Sequence, residues 1–175
     1  METRRLGSAG PQVSAVGLGC NNFGMKLDQA QTTAVVHAAL DAGITHFDTA
    51  EMYGGGQSEV FLGKALGARR ESVVVATKFA DRPEGEPYRP GALRRRILEG
   101  CDISLGRLGT DYIDLYYHHH PDPDAPVEEA LETLMGLQAS GRVIHVACSN
   151  YGPELIEEAV AAARRLDFPG FVADQ

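Results

Sequence analysis

The chain has 175 residues, a formal net charge of -8 and a hydrophobic share of 43%, enough for one domain with a core of ordinary size. The acidic balance, with no Lys/Arg block beyond Arg94-Arg95-Arg96 in a helical stretch, argues against nucleic acid and anionic membranes as main partners, and no run approaches the roughly 18–20 apolar residues of a membrane span. Cys20, Cys101 and Cys148 are odd in number, far apart and without C-x-x-C spacing, so neither a disulfide framework nor a zinc site can be drawn from them, and a reducing, cytoplasmic setting is expected.

In chain order, Arg4 to Gly19 reads as a short hairpin around Ser8-Ala9-Gly10-Pro11, leading into a strand that ends Val16-Gly17-Leu18-Gly19. A helix follows over about Gln29 to Ala42, with Val35, Val36, Ala39 and Leu40 on one face and Gly43 as its stop. The same unit then repeats. Strand Thr45–Thr49 precedes helix Ser58–Leu66, and strand Val73–Phe79 precedes a helix from about Gly91 to Leu108, striped by Leu93, Ile97, Cys101, Leu105 and Leu108. Strand Ile113–His119 precedes helix Val127–Ser140, and strand Val143–Ser149 precedes a helix opened by Pro153. Leu155, Ile156, Ala159, Val160 and Ala163 are the expected buried face of that helix, and Phe171 to Gln175 reads as a sixth strand.

Strands alternating with helices at this pitch mean βαβ units and a parallel sheet. An open doubly wound sheet and a closed barrel both fit, but the first turn, GLGCNNFG, lacks the third glycine of G-x-G-x-x-G, which weighs against the open nucleotide-binding sheet. The polar residues discriminate further. Asp48 closes the second strand with Tyr53 just beyond, Lys78 closes the third, His119 the fourth, Ser149 and Asn150 the fifth, and Gln175 the sixth. In a parallel barrel these strand ends gather at one mouth. Taken singly, Lys78 is also readable as a snorkelling lysine, Asp48 as a turn cap, Tyr53 as a loop aromatic and Ser149-Asn150 as a helix cap. Such readings predict scatter rather than one polar group at each successive strand end. Strand alternation would point His119 one way and His118 and His120 the other, so the triplet is not expected to chelate a metal.

The segments FDTAEMYGGGQSEVFLGKAL (47–66), VVVATKF (73–79), LGTDYIDLYYHHHPD (108–122) and VIHVACSN (143–150), with the opening LGSAGPQVSAVGLGCNNFG (6–24), resemble the aldo-keto reductases. The resemblance implies an α/β fold, the (β/α)8 TIM barrel, over the single domain 1–175, with the early hairpin plugging the barrel bottom. It implies NADPH (or NADH) bound without a Rossmann motif and reduction of a small-molecule carbonyl, an aldehyde or ketone. Carried over, the catalytic residues are Asp48, Tyr53, Lys78 and His119, and the contacts to the nicotinamide carboxamide are Ser149, Asn150 and Gln175. Reduction needs a hydride from the cofactor and a proton for the developing alkoxide. Tyr53 would supply that proton, Lys78 would assist it by its positive charge with Asp48 holding the ammonium, and His119 would orient the carbonyl.

Two features depart from the family pattern. His118 stands where similar members often have Gln. The chain also ends after about six of the eight barrel strands, without the later loops that in the family stack on the nicotinamide and grip the adenosine phosphate; such barrels typically run to about 250 residues. Open barrel edges are expected to favour self-association. Two other functions compete: a noncatalytic cofactor-binding subunit resembling the β-subunits of potassium channels, and a Schiff-base lyase with Lys78 as nucleophile.

Overall fold

The computed structural model describes residues 1–83 and 85–175. The first two strands, β1 (Thr3–Arg5) and β2 (Gln12–Ser14), pair antiparallel as the expected hairpin. A five-stranded parallel sheet follows, in the order β3 (Leu18–Gly19), β4 (His46–Asp48), β5 (Val74–Phe79), β6 (Ile113–His118) and β7 (Val143–Cys148). Strand order equals chain order, which is what successive βα units of a barrel wall produce. Residues 171–175 continue the wall: Val172 N–H donates to Val146 O, Cys148 N–H to Ala173 O and Gln175 N–H to Cys148 O at 2.9–3.1 Å. Their pairing registers as one parallel bridge, Cys148 with Asp174, so the sixth position is occupied by a paired segment rather than a long strand.

Among the described residues, five α-helices cover one face of the sheet: α1 (Gln29–Asp41), α2 (Gln57–Leu66), α3 (Ala92–Leu108), α4 (Val127–Ala139) and α5 (Pro153–Arg165). Local chemistry sets their limits. Asp28 and Gln31 form a reciprocal capping box at the start of α1, with bonds of 2.9 and 3.0 Å, and Gly109 ends α3 in the left-handed conformation. Phe79, Tyr116, Val146 and Cys148 face the helices and pack with Ile97, Leu131, Leu134 and Ala162. Alternation turns Ala76, Leu115, Tyr117 and Ala147 to the other face, where Leu6 of the hairpin packs against them with Val172 and Ala173. The hairpin therefore sits on the inner face, and Gly7 lies so close to the sixth segment that a Cβ there would meet Val172 O at 2.5 Å.

The helical stripes hold in part. Leu93, Ile97, Cys101 and Leu108 of α3 are buried and Leu105 is half-buried. Val36 and Ala39 of α1 are buried, but Val35 is exposed. On α5 the expected face is displaced: Ala159, Ala162 and Ala163 are buried, Leu155 and Ile156 are half-buried, and Val160 is 45% exposed. The buried stripe is an alanine stripe, and Ile156 and Val160 line a cavity of about 460 Å3 between α5 and residues 168–174. The three cysteines are buried free thiols.

Candidate active site

Register places the strand ends level. Gly19 stands opposite Asp48, Lys78 opposite Tyr117, and His118 opposite Cys148. Asp48 is the last residue of β4, Lys78 the penultimate residue of β5, and His119 and Ser149 follow directly on β6 and β7. The sheet thus delivers these side chains to one edge.

There Lys78, only 1% exposed, donates to Asp48 Oδ1 at 2.6 Å and to Thr49 O at 2.8 Å. The buried ammonium is balanced by a carboxylate and a carbonyl, which removes the penalty of burying it alone. This rules out the snorkelling reading of Lys78 and the cap reading of Asp48. The Lys78 Nζ lies 5.2 Å from the centre of the Tyr53 ring, and that ring meets His119 edge-on at 6.1 Å between centroids. Asp48, Tyr53, Lys78 and His119 therefore form one chain of contacts.

His119 is buried, its Nδ1 has no hydrogen-bond partner among the described residues, and burial first, then the charges of His120 and Lys78, hold its pKa below the ordinary 6.5. Its imidazole is neutral near pH 7, able to donate one N–H to an oxygen. The alternation expected for the histidine triplet does not hold: β6 ends at His118, so His119 and His120 leave the pleat and stack at 4.4 Å between centroids. His118 faces the helices instead, stacked on Phe79 at 4.7 Å and 2.7 Å from the Tyr151 hydroxyl, and burial drives its pKa down to about 3.

Ser149, Asn150 and Gln175 meet beside Asp48. Ser149 Oγ donates to Gln175 O at 3.2 Å, Asn150 Nδ2 to His119 O and Ser149 Oγ at 2.9 Å, and Gln175 Nε2 to Asp48 Oδ2 at 2.9 Å. Ser149 and Asn150 do not cap α5, whose N-cap is Gly152. Asn150 holds a left-handed φ of 60°, a conformation Asn tolerates better than most residues. Because both amide NH2 groups are already engaged, the two side chains have amide oxygens to offer, the acceptors that a carboxamide NH2 requires. These oxygens are of the kind that could accept from a carboxamide NH2.

Sequence reasoning missed a brace that joins α2, α3 and β5. Arg107 donates to Glu51 O at 2.8 Å and to Glu59 Oε2 at 3.2 Å, and Thr77 Oγ1 donates to Glu59 Oε1 at 2.6 Å. Glu51 is fixed further by its N–H on Lys78 O and by Ala80 N–H on its Oε2, both at 2.9 Å. The guanidinium fills the space a side chain at Gly56 would need, since a Cβ there would lie 2.4 Å from Arg107 Cζ. Glu59 is fully buried on α2, and no local sequence pattern pairs it with Arg107.

The family model "Aldo/keto reductase family" matches residues 15–175. The chain is 37% identical over its whole length to a probable voltage-gated potassium channel subunit beta of Oryza sativa subsp. japonica, 54% of which is covered. It is 39% identical to aldo-keto reductase YhdN of Bacillus subtilis (strain 168), over 93% of this chain and 51% of that protein. It is 34% identical to an L-glyceraldehyde 3-phosphate reductase of Escherichia coli (strain K12), over 97% of this chain and 51% of that one. The solved structure of the thermostable aldo-keto reductase Tm1743, in complex with the inhibitor epalrestat, superposes with a TM-score of 0.84 at 31% identity, over all of this chain and 62% of that one. The chain spans about half the length of the curated relatives it matches. With the model covering all but the first residues, the chain belongs to the aldo/keto reductase family.

Proposed function

We propose that this chain carries the proton-transfer site of an NAD(P)H-dependent reductase that converts small aldehydes or ketones to alcohols. The observation that carries the reading is the line from Asp48 through the buried Lys78 ammonium to the face of Tyr53. A phenol donating to a developing alkoxide gains negative charge, and a fixed ammonium beside it stabilises that charge. Asp48 and Thr49 O hold the ammonium, and neutral His119 supplies an N–H to the carbonyl oxygen as it becomes negative. The nicotinamide cofactor, when bound, supplies the hydride. Ser149, Asn150 and Gln175 would hold its carboxamide through their hydroxyl and amide groups. The buried, unpaired thiols fit a reducing, cytoplasmic setting, and no helix of the described residues is long and apolar enough to cross a membrane.

A second reading, a cofactor-binding regulatory subunit, draws on the 37% identity to the rice potassium-channel subunit beta. The lyase reading fares worse, because Lys78 Nζ is occupied by Asp48 and Thr49 and only 1% of its side chain is exposed. Replacing Tyr53 by Phe separates the first two. Reduction of an aromatic aldehyde, followed by cofactor absorbance, should fall by about 10²–10⁴-fold while fluorescence titration shows NADPH binding unchanged. Near-normal turnover in Tyr53→Phe would remove Tyr53 as the acid, and binding without turnover in the wild type would favour the regulatory subunit.

A further inference from the structure

We propose that Asp81, His119 and His120 form a binding site for one divalent transition-metal ion of the zinc class, at the rim of the mouth. Asp81 comes from the loop after β5 and the two histidines from the end of β6, neighbouring strands of the wall. One ligand atom from each of the three lies within 4.8 Å of the other two, and His120 Nδ1 is already 2.9 Å from Asp81 Oδ2. A tetrahedral zinc ion with bonds near 2.0–2.2 Å holds its ligands about 3.3–3.5 Å apart, so the cluster needs only a modest contraction.

The members divide the work. His119 is buried and positioned, with a ring nitrogen that has no partner among the described residues. Asp81 and His120, already hydrogen-bonded to each other, have side chains 42% and 46% exposed. The stacked rings, 22° from parallel, direct their lone pairs side by side, so His120 rotates off the stack to close on the ion. Two imidazoles and one carboxylate select zinc and its neighbours over magnesium or calcium, which prefer oxygen alone. Three protein ligands leave a fourth position for water. Nearby cations are already neutralised: Lys78 by Asp48, and Arg82 by Asp122 and Asp124. An ion here occupies the imidazole meant for the carbonyl oxygen, so it should inhibit reduction; that consequence rests on the reductase reading, whereas the binding does not.

The test is titration of zinc alone into the protein against a chromophoric chelator, for wild type, Asp81→Asn, His120→Ala and, as a control away from the cluster, His145→Ala, each checked for native circular dichroism. One equivalent should bind to wild type and to His145→Ala. Loss of a metal's outer supporting group costs about 10–100-fold in affinity, and loss of a ligand at Asp81 or His120 should cost at least as much. No stoichiometric binding by wild type, or equal affinity in folded His120→Ala, overturns the site. Aldehyde reduction with and without zinc is measured in parallel. Inhibition of wild type but not of His120→Ala supports both the site and its effect. Binding by a wild type that never reduces an aldehyde supports the site and counts against the reductase reading alone.

Discussion

Helices α4 and α5 are two copies of one βα unit, equal in length and adjacent in the wall, yet they bury very different surfaces. On α4, Val127, Ala130, Leu131, Thr133, Leu134 and Leu137 are all buried, because α3 and α5 flank it and β7 lies beneath. On α5 only Ala159, Ala162 and Ala163 are buried, and Ile156 and Val160 face the cavity beside residues 168–174. The buried stripe of α4 carries valine and leucine, whereas that of α5 is alanine alone. Burial in a repeating wall therefore depends on a helix's neighbours as well as on its own stripe: α4 lies between α3 and α5, whereas the larger groups of α5 border an open groove.

The comparison can be broken most directly at its closed end. Leu134→Ala in α4 removes a fully buried side chain from a site packed on every side, so it should destabilise by about 2–5 kcal/mol. The urea midpoint, read against wild type, checks this. A loss below about 1 kcal/mol would mean that α4 is no better packed than α5.

A smaller effect, visible in acid, tests how dry the closed region is. His118 lies beneath it with its pKa pushed down from 6.5 to about 3 by burial. The unfolded chain takes up this proton as pH falls below 6.5, whereas the folded chain does so only near 3, so more protons are bound unfolded and stability falls with falling pH across that window. The limiting slope for one such group is on the order of 1.4 kcal/mol per pH unit. His46 and His145 are also held low by burial and add to the acid arm. His118→Gln should flatten the dependence of unfolding free energy on pH between about 6 and 4, even if its stability at pH 7 is lower for want of the Tyr151 bond. An unchanged slope would mean that water reaches His118.

Both regions bear on what was legible in the sequence. The strand ends could be read because period-2 alternation and the turn after each strand are local: Asp48, Lys78 and Ser149 each stand within one residue of a strand terminus. His120 misled because β6 stops one residue before the expected end, and a single residue decides whether alternation still applies. Val160 misled because helical period reports which residues share a face, not whether another element covers it. The Glu59–Arg107 brace spans 48 residues of sequence, and nothing in the local pattern of either helix announces such a pair.

The smallest expected effect on stability is also the sharpest test of the open face. Val160 is 45% exposed on α5, so Val160→Asp removes little buried area and should change unfolding free energy by no more than about 0.5 kcal/mol. Its effect should fall on association instead. Val160 and Ile156 line the cavity with Phe168 and Phe171, and the segment beyond β7 pairs on only one side among the described residues. An apolar groove next to an unpaired edge is a surface that a second chain can cover, and a carboxylate at its centre would be buried without a partner in any such contact. Sedimentation of the 175-residue chain should therefore show self-association for wild type and a shift toward monomer for Val160→Asp, at closely similar urea midpoints. Equal sedimentation of the two chains would dismiss the groove as the contact. A drop in midpoint as large as that of Leu134→Ala would show that α5 is covered after all, and that the contrast between the two helices does not exist in solution.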